Sequence, residues 1–325
     1  MRKYTLVFVS LTLFFALHGN AQTGRVILLE SFTNTGCLPC AQNNPGMDAL
    51  IAANSGRIAA IKYHVAWPSP TDPMHLHNTS DNVARTNYYG VNSVPHVVID
   101  GNRFNGNSGQ ITQGVIDQLQ DIAPKMDLGL SFEVNETDST ITVNVAGQAM
   151  TDLSGDIRLF VGVVENEIHL NTPPGPNGER DFYNVMKKLL PDANGTFIGD
   201  LANQDQFSYS FTWKTANVYD INQTGAIAWV QNYITKEVYQ ACKPSTTSVP
   251  SNGSDDPFPD IYPNPTSGLV NIVSREEQTV TFYNIVGQQV YEGTCNGNLQ
   301  IDTKAFGAGF YTVRVGNTTS KLIVR

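Results

Sequence analysis

Charge is what this sequence has least of. Only 15% of its 325 residues are Asp, Glu, Lys or Arg, where roughly 25% is usual for a soluble domain. The 20 basic side chains are outnumbered by 29 acidic ones and form no cluster. That excludes nucleic-acid binding, because phosphate neutralisation needs several cations together. Cysteine is scarce as well. Of the four, two form a single Cys-x-x-Cys pair and no second pair exists, so a tetrahedral zinc centre lacks its ligand spacing. Beyond the N-terminus no apolar run reaches the ~20 residues that span a bilayer. Hydrophobic residues, by contrast, are plentiful. At 41% of the chain, with 15 Phe and 13 Tyr, they suffice for packed cores, and the length suggests two or three domains. Asn, Thr, Ser, Gln and Gly take the place of charge, as in exported β-rich proteins more than in cytosolic enzymes.

The N-terminus accounts for that composition. Arg2 and Lys3 precede an apolar run from Tyr4 to Leu17, and Gly19-Asn20-Ala21 places small residues where a signal peptidase cuts. Residues 1–21 therefore read as a cleaved secretory signal. No cysteine follows the run, which argues against lipoprotein attachment. The mature chain is expected outside the cytoplasm, without a transmembrane segment.

Residues 22–124 alternate strand-like and helix-like stretches. Strands are predicted at Val26–Phe32, Ile58–Val65 and Val94–Asp100, and helices at Cys40–Ala53, Ser80–Tyr89 and Ile111–Ile122. Such alternation argues for an α/β layer structure. From 125 to 243 the period becomes two. Leu128, Leu130, Phe132 and Val134, then Ile141, Val143 and Val145, then Ile157, Leu159, Val161 and Val163, and later Phe207, Tyr209 and Phe211 each line one face, the pattern of an antiparallel sandwich. Phe182, Val185, Met186 and Leu189 fall at helical spacing before Pro191 and predict one helix there, its stripe in the core. Ala226–Tyr239 should supply closing strands with Trp229 or Val230 inward. Residues 244–259 are rich in Pro, Ser, Thr, Gly and Asp and read as a linker. A compact β module fills 260–325, with strands at Leu269–Val273, Thr279–Asn284, Gln288–Glu292, Phe310–Val315 and Lys321–Val324.

Cys37-Leu38-Pro39-Cys40 carries the chemistry. It follows a buried strand and opens a helix, where unpaired backbone N–H groups and the helix dipole lower a thiol pKa. Cys37 would be the nucleophile, and Cys40, one turn further in, would resolve the mixed disulfide. Pro39 is tolerated because its missing N–H has no partner in a first turn. Cys37-Leu38-Pro39-Cys40 together with Ser93-Val94-Pro95-His96-Val97-Val98-Ile99-Asp100-Gly101 resembles the thioredoxin-like superfamily over about 100 residues. The resemblance implies that Pro95 is cis, lies beside the disulfide and shapes the groove for an incoming chain. Two departures stand out. Thr35-Gly36 occupies the place of the usual Trp before the first cysteine, and Ser31 fills the slot of the buried proton-relay acid, with Glu30 facing the other side of the strand. A static disulfide therefore stays open beside the redox reading.

The insertion with Asp72-Pro73-Met74 and Arg85-Thr86-Asn87-Tyr88-Tyr89-Gly90, together with Phe182-Tyr183-Asn184-Val185-Met186 and Lys236-Glu237-Val238, resembles the 28-kilodalton outer membrane protein family across roughly 25–243. That family joins a thioredoxin-like head to a β-sandwich. His64, His75 and His77 in the insertion raise the question of a metal, but His75-x-His77 cannot share a helix face; neither a metal nor a cofactor is expected. Finally, Tyr262-Pro263-Asn264-Pro265-Thr266-Ser267-Gly268, Tyr283-Asn284-Ile285-Val286-Gly287-Gln288, Gly309-Phe310-Tyr311-Thr312-Val313-Arg314-Val315 and Lys321-Leu322-Ile323-Val324-Arg325 resemble the C-terminal sorting domain of the type IX secretion system. In that family the domain is an address read by the outer-membrane machinery and removed at the surface. Cys242 and Cys295 are expected to be separate buried thiols.

The expectation is an α/β thioredoxin-like domain, an Ig-like sandwich, a linker and a small β-sandwich sorting domain. The chain would be exported through the periplasm and outer membrane, and would exchange thiols with a protein substrate through Cys37 and Cys40. An extracytoplasmic site favours oxidation or isomerisation over sustained reduction. The alternative is a non-catalytic surface binding or adhesion protein in which Cys37–Cys40 is a structural disulfide.

Overall fold

The computed structural model describes residues 24–244 and residues 260–324 apart from 263, 265, 267, 285, 286 and 317. The expected signal peptide, and the expected linker beyond Pro244, lie outside the described residues. The chain forms two compact units, one holding 24–244 and the other 260–324.

In the first unit the elements run β1 (Ile27–Thr33), α1 (Leu38–Ala53), β2 (Ile58–His64), α2 (Pro73–His77), α3 (Thr79–Tyr89), β3 (His96–Ile99), β4 (Phe104–Gly106) and α4 (Gln113–Gln120). They continue with β5 (Met126–Asn135), β6 (Thr140–Ala149), β7 (Ile157–His169), β8 (Asp181–Leu190), β9 (Thr196–Phe197), β10 (Gln206–Lys214), β11 (Thr224–Asn232) and β12 (Val238–Cys242). β1 and β2 are wholly buried and parallel, and β3 lies antiparallel on the other side of β1. α1 starts where Cys37 caps it and buries Cys40, Asn44, Met47 and Ile51, a stripe at helical spacing.

Two sheets form this unit. One has the order β12-β11-β7-β8-β2-β1-β3-β4, with β9 pairing β7; the other is β10-β6-β5. The first crosses the expected 124/125 boundary, because β8 pairs in parallel with β2 at Lys62 and Val185. The change of period at 125 thus marks a change of layering inside one packed body. Ile27, Leu29, Ile58 and Ala60 lie under Met47 and Ile51 of α1 and Ile116 and Leu119 of α4. Leu28, Phe32 and Ile61 pack instead with Tyr89 of α3, Phe160 of β7 and Trp229 of β11. The sandwich core joins Leu130, Val143 and Val145 of the small sheet to Leu159, Val161, Ala228 and Val230. Trp229 and Val230 are both fully buried, in different clusters.

One element corrects the sequence reading. Residues 181–190 form strand β8 rather than a helix. Phe182, Val185, Met186 and Leu189 are core residues, as the spacing implies, but β8 lies inside a sheet covered on both faces, so the two-residue alternation that would mark a strand is lost. Asn184 at φ 55° and a register shift opposite Val163 and Val164 break it further.

The second unit is all β: β13 (Asp260–Tyr262), β14 (Leu269–Asn284), β15 (Gln289–Asp302), β16 (Gly309–Val315) and β17 (Thr318–Val324). The two strands expected at 269–273 and 279–284 are one, β14, irregular between Ser274 and Gln278. The polar stretch between them is a bulge and not a turn. Val270, Ile272, Val280, Phe282, Val313 and Leu322 form its core. Cys242 and Cys295 lie in different units and both are buried.

A buried ion pair ties the first unit together. Arg85 of α3 meets Glu30 of β1 at 2.7 Å, both side chains almost wholly excluded from solvent. Tyr63 and Tyr89 donate their hydroxyls to the same carboxylate. The guanidinium lies 4.7–5.5 Å from the rings of Tyr88, Tyr89, Phe160 and Trp229. Arg85→Met should cost about 3–5 kcal/mol of unfolding free energy in urea titration, since it strands a buried carboxylate. The double variant Glu30→Leu/Arg85→Met should recover much of that loss.

Candidate functional site

β1 delivers the chain to a tight turn at its C-terminal end. Asn34 holds the turn: its amide donates to the carbonyls of Val65 and Ser69 at 2.7 and 2.9 Å, and its Oδ1 accepts from the N–H groups of Gly36 and Ser69. A Cβ at Gly36 would stand 2.7 Å from the Ser69 side chain, so only glycine lets this turn lie against the Pro-rich loop. The Thr35 N–H donates to Asp72 Oδ2 at 2.8 Å.

Cys37 and Cys40 form a disulfide with Cα atoms 5.2 Å apart. The Cys40 N–H points at Cys37 Sγ at 3.1 Å, the donor expected at a helix N-terminus. Cys37 is 4% exposed and Cys40 fully buried, while Leu38 between them is 59% exposed. Across the disulfide stands the Val94–Pro95 peptide, which is cis, with Val94 O 3.6 Å from Cys37 Sγ. Cys37, Cys40 and this peptide, distant in sequence, therefore meet. Ser31 is buried and pairs in register with Lys62, whose ammonium contacts Asp48 of α1. Burial raises the Asp48 pKa against the pull of Lys62.

Partners that the sequence did not reveal come from the segment between β7 and β8. Asn177 donates to the carbonyls of Asn34 and Cys37 at 3.3 Å each, and its N–H donates to Thr35 O. Asn44 donates to Glu179 Oε1 at 2.6 Å, and burial raises the Glu179 pKa. At Gly175 a Cβ would stand 2.3 Å from Thr35 O. These contacts join residues about 140 positions apart, and no local pattern encodes them.

The three histidines separate. His64 Nδ1 is paired with buried Asp72 at 2.8 Å, His75 Nδ1 with the His64 carbonyl at 2.8 Å, and His77 Nδ1 with Lys187 Nζ at 3.2 Å. Among the described residues no group of three or more His, Cys, Asp and Glu converges on a metal position. Lys187 itself is buried against Glu165 at 2.8 Å.

Residues 260–325 match the family described as the secretion system C-terminal sorting domain. This signal directs export by the type IX system. The protein thus engages the secretion machinery through its C-terminal unit and is delivered to the cell surface or the extracellular space. The structure is similar to HBP35 of Porphyromonas gingivalis, with a TM-score of 0.55 at 16% identity over 93% of this chain and 98% of that one. That likeness supports the α/β-plus-sandwich architecture. A protein of Agrobacterium tumefaciens gives a TM-score of 0.47 at 14% identity, over 72% of this chain and 100% of that one. A domain of the outer membrane lipoprotein Omp28 from P. gingivalis gives 0.24 at 17%, over 37% and 86%. No curated protein matches the chain. Among the described residues no helix is long and apolar enough to cross a membrane.

Two pH dependences follow. Burial, and then the Lys187 charge, push His77 from 6.5 down to about 4. The unfolded imidazole takes its proton near 6.5 and the folded one only near 4, so stability falls as pH drops through that window. His77→Gln should flatten this part of the stability–pH curve measured by chemical denaturation. For Asp72, burial acts upward, but the His64 partner and the backbone N–H donors hold it below its ordinary 3.8. Its contribution is present above that value and lost below it, so Asp72→Asn should destabilise at neutral pH and converge with the parent in more acid solution.

Proposed function

We propose that the first unit carries out thiol–disulfide exchange on proteins at the cell surface, with 22–124 acting as a thioredoxin-like domain and 125–243 as the sandwich fused to it. The observation that carries this reading is the Cys40 N–H directed at Cys37 Sγ at the start of α1, opposite the Val94–Pro95 peptide. On reduction, that donor and the helix N-terminus favour a Cys37 thiolate.

Starting from the dithiol, Cys37 Sγ attacks one sulfur of a substrate disulfide, forming a mixed disulfide as the other substrate sulfur leaves as thiolate. Cys40, having lost its proton, attacks Cys37 Sγ, releases the second substrate thiolate and closes Cys37–Cys40. Two electrons pass to the substrate. The reverse sequence oxidises a substrate dithiol, the direction favoured at an oxidising surface. Pro95, without an N–H of its own, borders the groove in which the substrate chain lies beside Cys37.

The 4% exposure of Cys37 favours a second reading, a structural disulfide in a surface binding protein. Trapping separates the two. Cys40→Ser should accumulate a mixed disulfide with protein substrates, visible on non-reducing gels and lost on adding thiol, while Cys37→Ser should accumulate none. A Cys37–Cys40 potential far below roughly −300 mV, with no turnover of a disulfide substrate and no adduct, would overturn the exchange reading.

A further inference from the structure

A cleft of about 1260 Å³ opens along the flank of α1. The helix lines one side with Ala41, Asn44 and Asp48, and Asn177, Tyr183 and Lys243 stand among the residues that line the rest. From the geometry of this cleft we infer that it is a binding site for an extended polypeptide segment, continuous with the Cys37 turn.

Size is the first argument. Small-molecule sites occupy about 300–1,000 Å³, and this volume exceeds that range. Continuity is the second. Asn177, which lines the cleft, also donates to Cys37 O at 3.3 Å, and Ala41 follows Cys40 directly. A chain whose cysteine engages Cys37 thus has the cleft beside it. Chemistry is the third. The lining is mixed: the amides of Asn44 and Asn177 are bonded within the protein, while those of Asn166 and Asn184 stand among apolar groups, suited to pairing with peptide groups of any sequence. Lys243, partly withdrawn from water, and Arg180 stand in the lining with the carboxylates of Asp48, Glu179 and Asp181, so the cleft can meet side chains of either sign. The choice of a polypeptide as occupant rests on the exchange reading above.

The probe is a reduced, carboxymethylated and hence unfolded polypeptide with a fluorescent label, titrated against the full-length oxidised protein and read by anisotropy. Saturable binding is expected. Ala49→Trp, which fills the cleft from an exposed position on α1, should weaken it at least about tenfold. Ala53→Trp, exposed on the same helix but outside the lining, should leave it unchanged. Circular dichroism of both variants checks that α1 remains folded. No saturable binding by the unaltered protein, or equal binding by Ala49→Trp, would overturn the inference. Because the probe has no thiol, inert cysteines would not alter this result, and absent binding would leave exchange with small disulfides untouched.

Discussion

The Glu30–Arg85 pair is the interaction on which the first unit depends. It contains an ion pair from β1 and α3, roofed by rings from α3, β7 and β11 and tied by hydroxyls from β2 and α3. Two charges out of water are costly unless every lone pair and proton is met. Here both carboxylate oxygens are met, while the cation leaves Arg85 Nη1 without a hydrogen-bond partner among the described residues and is flanked by aromatic faces. Burial pushes the Tyr63 and Tyr89 phenols well above their ordinary value, which keeps them as hydroxyl donors to the carboxylate. Because the groups that meet this pair come from both the α/β part and the sandwich, that requirement fixes how the two fit together.

This changes the meaning of the low charge content. Several of the few charges are withdrawn from solvent: Arg25 with Asp100, Glu30 with Arg85 and Lys187 with Glu165 are all nearly inaccessible. They fasten strand to helix, strand to strand, and the lead-in of β1 to the turn after β3. Arg25 and Asp100 close the start of β1 onto the Asp100-Gly101 turn, where a Cβ at Gly101 would stand 1.7 Å from Lys236 O. That turn was visible from its residue types, but its pressing against the β11–β12 connection was not.

What could be read from sequence was whatever had a local cause. β1, α1 and β2 followed from apolar runs and helical spacing, and the Cys-x-x-Cys pair stood where a strand gives way to a helix. The sorting unit announced itself through residue strings that residues 260–325 share with a known family. β8 was misread because burial on both faces erased its alternation. Asn177, Glu179 and Asp72 were missed because their partners in the Cys37 turn and in α1 lie about 35 to 140 residues away. The Lys62–Asp48 contact beside buried Ser31 needed the register of β1 on β2.

The continuous sheet has a consequence for how such a chain can be recombined. A sequence break at 124/125 invites treating the halves as exchangeable modules. Yet a β1–β4 half cut there would lose β8 from the side of β2, and its buried carboxylate and guanidinium would lose the rings supplied by β7 and β11. Each half has a core cluster of its own, but the cluster of Leu28, Phe32, Ile61, Phe160 and Trp229 belongs to both, so the unit that evolution or an engineer can move intact runs from β1 to β12, with the Cys37–Cys40 turn and the strand that borders it carried together.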